Sequence, residues 1–140
     1  MKTYAGIGSR KTPFEVLDKM KNMALALQNV DYILRSGGAR GADSAFESGA
    51  GDKKEIFTAD DATPEAMILT SKYHPNWNAC KPYVKKLHAR NAMIVLGKNL
   101  DKLVDFIICW TPGGTGSGGT GQALRIAKAY GIPIYDLGSK

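Results

Sequence analysis

Hydrophobic and polar positions change period several times along the chain, and each change marks an element. Thr3 to Ile7 is a short β-rich run. Phe14, Leu17, Met20, Ala24 and Leu27 then recur at helical spacing, with Thr12 as the expected cap and Pro13 in the first turn. Tyr32 to Leu34 reads as a second strand, and a helix is expected from about Ala42 to Ser48, ending near Gly49. Glu55 to Thr58 is a third, short strand. Thr63-Pro64-Glu65 opens a helix through Thr70, and Pro75 breaks any period between Tyr73 and Trp77. Pro82 to Leu96 carries a long helical pattern. Leu103 to Trp110 is nearly all apolar, as a parallel strand buried on both faces would be. A glycine-rich stretch follows to Gly121, then a helix over Gln122 to Tyr130 and a last strand over Ile132 to Tyr135. Pro133 implies that this strand lies at an edge or only begins there.

Strands alternating with helices imply an α/β protein: a single Rossmann-like three-layer domain, residues 1–140, with a mostly parallel sheet. Its 140 residues fit one domain, and its 44% hydrophobic content excludes a disordered chain. Ligands in such sheets sit at the carboxyl ends of the strands. The three glycine-bearing loops, at Gly8, Gly37 and Gly113, each follow a strand and so share one rim.

Cys80 and Cys109 form neither a CxxC nor a zinc pattern, and Cys109 lies in an apolar run. With two histidines, no metal site is expected. The start of the chain has no signal-peptide pattern, and the apolar run from Phe106 to Trp110 is too short to cross a bilayer. The expectation is a cytoplasmic protein without a membrane partner. A net charge of +6 favours anionic partners without choosing between a nucleotide and a nucleic acid.

The loops carry the candidate chemistry. Ser36-Gly37-Gly38-Ala39-Arg40-Gly41-Ala42-Asp43 joins a strand to a helix. Its glycines allow close approach of a ligand, and free N–H groups at the helix start attract phosphate. Arg40 offers a bidentate contact to an anion, and Asp43 a helix cap or a ribose acceptor. The plainer alternative is a tight turn with a capping aspartate. Thr111 to Gln122 holds six glycines in twelve residues, an arrangement whose ordering entropy a bound ligand would offset. It is not a Walker A motif. Gly6-Ile7-Gly8-Ser9-Arg10 is a weaker third loop. His88-Ala89-Arg90-Asn91 alone reads as a solvated basic helix face, and His74 as a stacking or binding residue in its loop.

Taken together, these segments resemble the SLOG superfamily of nucleotide-binding Rossmann-like domains, over nearly the whole chain. That superfamily includes the LOG phosphoribohydrolases, the DNA-processing protein A family and YspA-like proteins of phages and bacteria. Ser36 to Asp43 resembles the phosphate loop of the latter two branches. His88-Ala89-Arg90-Asn91, Gly118-Gly119-Thr120 with Ala123, and Gly131-Ile132-Pro133-Ile134 resemble the second half of the YspA-like branch. The shared rim makes Gly8, Ser9 and Arg10 candidate contacts, and the loops with the resemblance add Ser36, Gly37, Gly38, Ala39, Arg40, Asp43, Arg90, Asn91, Gly118, Gly119, Thr120 and Gln122. In LOG enzymes an arginine and a glutamate cleave an N-glycosidic bond. Arg90 matches the first position, but Gln122 stands at the second. A glutamine supplies neither a carboxylate base nor a charge for an oxocarbenium ion. Asp43 and Glu47 are the alternative acids.

The leading expectation is a protein that senses or sequesters a phosphate-bearing nucleotide or nucleotide derivative. The alternatives are a nucleoside monophosphate phosphoribohydrolase using Arg90 with Asp43 or Glu47, and a single-stranded DNA binder. No cofactor is expected, and relatives suggest a homodimer or higher homo-oligomer.

Overall fold

The computed structural model describes residues 2–139. The elements are β1 (Thr3–Gly6), α1 (Phe14–Asn29), β2 (Ile33–Ser36), α2 (Ala42–Ala50), β3 (Lys54–Ile56), α3 (Pro64–Tyr73), α4 (Pro82–Leu96), β4 (Phe106–Cys109), α5 (Gly118–Ala129) and β5 (Ile134–Asp136). The five strands form one sheet in the order β3-β2-β1-β4-β5, and every pairing is parallel. β5 is an edge strand and begins just after Pro133, as both expectations for that proline allow.

Side chains alternate across the sheet with period two. Tyr4, Leu34 and Ile108 pack beneath α1 and α2, with Met20, Ala24 and Phe46. Ala5, Ile107 and Cys109 point to the other face, against Met93, Ile94, Leu96, Ala123 and Ile126 of α4 and α5. The molecule is therefore a three-layer Rossmann-like α/β domain. Among the described residues, no helix is long and apolar enough to cross a membrane.

Three local expectations are corrected. Thr12 does not cap α1. Its hydroxyl donates to the Ser9 carbonyl at 2.5 Å, Pro13 holds the cap position, and no side chain caps the helix. The strand before Trp110 starts at Phe106 rather than Leu103, which is exposed. Gly49 does not end α2, which runs on to Ala50 with Gly51 at its C-cap.

Gly49 is instead a contact residue. A Cβ there would lie 2.1 Å from the Lys21 carbonyl oxygen and 2.8 Å from the Ala24 methyl. The neighbour is backbone, so α1 and α2 would have to separate. Gly49→Ala is expected to cost about 3 kcal/mol, at the upper end for overpacking and despite alanine's better helix propensity. Urea denaturation would measure it as a lower midpoint.

Candidate functional site

The strand order reverses between β1 and β4, where open parallel sheets bind ligands. At the carboxyl ends of the strands lies a cleft of about 830 Å³. The loop after β1 supplies Gly8, Ser9, Arg10 and Lys11, and the loop after β2 supplies Gly37, Gly38 and Ala39. Pro112 and the run from Ser117 to Thr120 come from the segment after β4. All three glycine-bearing loops thus meet at one rim. α4 forms a further wall through Tyr83, Val84, Leu87, His88, Arg90 and Asn91.

α5 begins four residues earlier than its hydrophobic pattern indicates, because glycines carry no pattern. Gly118, Gly119 and Thr120 are therefore its first turn, with Ser117 as N-cap and no side chain capping it. The amide groups of such a turn point along the axis toward the cleft mouth and favour an anion. A Cβ added at Gly118 or Gly119 would meet nothing within 4 Å, so open space lies over both. The loop before them is held in place. Asp136 accepts from the Thr111 hydroxyl and from its amide at 3.0 Å, and Thr111 Oγ1 accepts from the Gly116 amide at 2.9 Å.

Arg90 is buried, at 8% exposure. Its Nη1 donates to the Gly37 carbonyl at 2.8 Å and to the Phe57 carbonyl at 3.1 Å, and its Nε donates to Asn91 Oδ1 at 2.8 Å. It braces the Gly37 loop from below. Gly37 must be glycine for this, since a Cβ would lie 2.7 Å from Arg90 Nη1.

Asp43 lies on the cleft wall and is itself buried, accepting from the Ala39 amide at 3.3 Å. Burial pushes its carboxyl up to about 6, against the opposing pull of the Ala39 amide and Arg90. A folded-state pKa above the unfolded value of about 3.9 means that the native state binds the extra proton. Asp43 therefore costs stability as pH rises from about 4 to 6, by roughly 2 to 3 kcal/mol in full. Asp43→Asn mimics the protonated form. It is expected to raise the melting temperature at pH 7 and to leave it nearly unchanged at pH 4, read by calorimetry at both.

Four expected site residues do not lie on the cleft wall. Ser36 is fully buried, and its hydroxyl donates to the Gly6 carbonyl at 2.6 Å, tying β2 to β1. Arg40 is exposed beyond the wall. Glu47 sits beside Lys54, 3.9 Å from its ammonium. Gln122 is fully buried one turn into α5; its Nε2 donates to the Thr70 carbonyl at 3.4 Å and its Oε1 accepts from Arg125 Nε at 3.0 Å. It joins α5 to α3, away from the cleft, because α5 starts at Gly118.

The sequence reading missed several wall residues. Tyr83 is 63% exposed and offers an aromatic surface beside Leu87. Its signal was the spacing Tyr83, Leu87, Arg90, one face of α4. The fold also brings His74, Cys80 and His88 together beside this wall, with one candidate ligand atom from each lying within 4.8 Å of the others. Burial lowers the pKa of both histidines, and Arg125 opposes their protonation further.

The fold and cleft define a Rossmann-like domain with a glycine-lined rim. No protein-family model matches the chain, and no curated protein matches it in sequence. Among solved structures, DNA processing protein A from Helicobacter pylori, described as having a unique single-stranded DNA binding mode, is similar with a TM-score of 0.69 and 19% identity. The match covers 96% of this chain and 64% of that protein, so the chain spans just under two thirds of its length. The likeness shows a shared fold, that of a DNA processing protein A-like Rossmann domain.

Proposed function

We propose that the cleft binds a phosphate-bearing nucleotide or nucleotide derivative. One observation carries this reading: the uncapped first turn of α5, with Gly118 and Gly119 open above, faces a cleft rimmed by Gly38 and Ala39. The phosphate sits on the α5 amides, and Arg10 and Lys11 add charge at the mouth. Tyr83 and Leu87 provide the surface for the base. The volume suits one nucleotide. The DNA processing protein A-like fold supports a SLOG-type reading, and the YspA-like branch rests on the loop resemblance alone.

A second reading, single-stranded DNA binding, is favoured by the DNA processing protein A fold and by the net charge of +6. Here the cleft takes one nucleotide unit of the strand. Thermal-shift titration with nucleotides and short oligodeoxynucleotides separates the two. A free nucleotide at a hundred times its dissociation constant adds about 2.7 kcal/mol of stability. Strand binding instead weakens steeply as salt is raised. Base release assayed in the same samples tests the hydrolytic alternative. Asp43, with its raised pKa beside Arg90, is its candidate acid, and turnover would then vanish in Asp43→Asn while binding persists.

A further inference from the structure

We infer that His74, Cys80 and His88 form a binding site for one divalent metal ion of the zinc class. The three residues come from the end of α3, the loop that follows it, and α4. Each offers a ligand atom, and those atoms lie within 4.8 Å of one another. Cys80 Sγ is 3.6 Å from His74 Nε2. A tetrahedral ion with Zn–S of about 2.3 Å and Zn–N of about 2.05 Å sets sulfur and nitrogen roughly 3.6 Å apart, so this edge already has the required length. The two imidazole rings lie 4.9 Å apart between centroids.

His88 supplies an independent observation. Its Nδ1 is buried and has no hydrogen-bond partner among the described residues. Buried polar nitrogens are almost always satisfied, so this unpartnered one is open to an ion or to its bound water. The donor set also selects the ion. One thiolate and two imidazoles suit zinc, cobalt or copper, and disfavour magnesium or calcium. Arg125 lies close enough to both histidines to oppose positive charge there, and the Cys80 thiolate offsets it.

Binding requires one rearrangement. His74 Nδ1 accepts from the Asn76 amide at 2.9 Å, which leaves the proton of the neutral ring on Nε2. On binding, the ring proton moves from Nε2 to Nδ1, and the Cys80 thiol loses its proton to solvent as sulfur takes the ion. The Asn76 amide then turns away within its loop. Three protein ligands leave one position for water, the pattern of an open zinc site. His88 also lines the cleft, so the ion would stand next to the bound nucleotide. The metal site itself does not rest on the nucleotide reading.

The test is titration of the untagged, chelator-stripped full chain with cobalt(II), followed by displacement with zinc. The expected result is one cobalt per chain, with tetrahedral visible bands and a thiolate-to-cobalt charge-transfer band. Cys80→Ser removes the charge-transfer band, and His74→Ala weakens binding by at least about 100-fold, since even outer-shell changes cost 10–100-fold. Zinc raises the melting temperature of the wild-type chain and not of Cys80→Ser. Melting of both proteins without metal confirms that the variant folds, and Cys80 is only half-buried. Absence of a thiolate band at saturating cobalt would overturn the inference. So would a band that persists in Cys80→Ser, which would assign it to Cys109.

Discussion

Gly119→Val is expected to weaken nucleotide binding by at least about 100-fold, close to 2.7 kcal/mol, while leaving the melting temperature within a few degrees of wild type. Empty space above Gly119 is the reason. A Cβ at Gly119 meets no protein atom within 4 Å, and its φ lies outside the left-handed region that strains other residues. Valine costs no more than glycine in a helix, so the fold tolerates it. In the proposed site, the same Cβ stands where the phosphate would approach the first turn of α5. Calorimetric titration of both proteins with the tightest nucleotide measures the change. Equal affinities would remove the phosphate from this turn. Gly37 is unsuitable for this test, because a Cβ there meets Arg90 and Asp43 and would damage the loop whatever the cleft binds.

Arg90→Ala is expected to cost about 3 kcal/mol of stability, near 10 °C in melting temperature for a domain of this size. The guanidinium holds two carbonyls, Gly37 and Phe57, together with the side chain of Asn91, and all of these bonds are lost at once. Asp43, buried beside it, also loses its nearby positive charge. Arg90→Lys should recover less than half, since one ammonium cannot copy the planar fork that serves these acceptors. Denaturant unfolding of the three proteins measures the series. A wild-type midpoint in Arg90→Ala would mean that the arginine is a free ligand contact rather than the brace of the Gly37 loop.

The layers and the rim were legible because burial writes a period into the sequence. Phe106 to Cys109 is buried on both faces and reads as an apolar run, and Met20 and Ala24 mark the inner face of α1. The start of α5 was not legible, since Gly118, Gly119 and Gly121 have no side chains to show a helical period. That shift of one turn carries Gln122 from the expected site into the α3–α5 contact. Gly49 reads locally as a helix stop, but its cause is a close approach to Lys21, more than twenty residues away, which no local pattern records. The grouping of His74, Cys80 and His88 was hidden in the same way. Their spacing follows no short metal motif, and only the packing of the loop against α4 joins them.

In the proposed complex a phosphate rests on the α5 amides. Backbone amide NMR of the chain with a nucleoside monophosphate, compared with the nucleoside alone, tests it most directly. The amide resonances of Gly118, Gly119 and Thr120 are expected to shift with the nucleotide, together with Gly38 across the cleft, and to move far less with the nucleoside. Shifts confined to Lys85 and Lys86 of α4, or identical shifts with and without the phosphate, would contradict it.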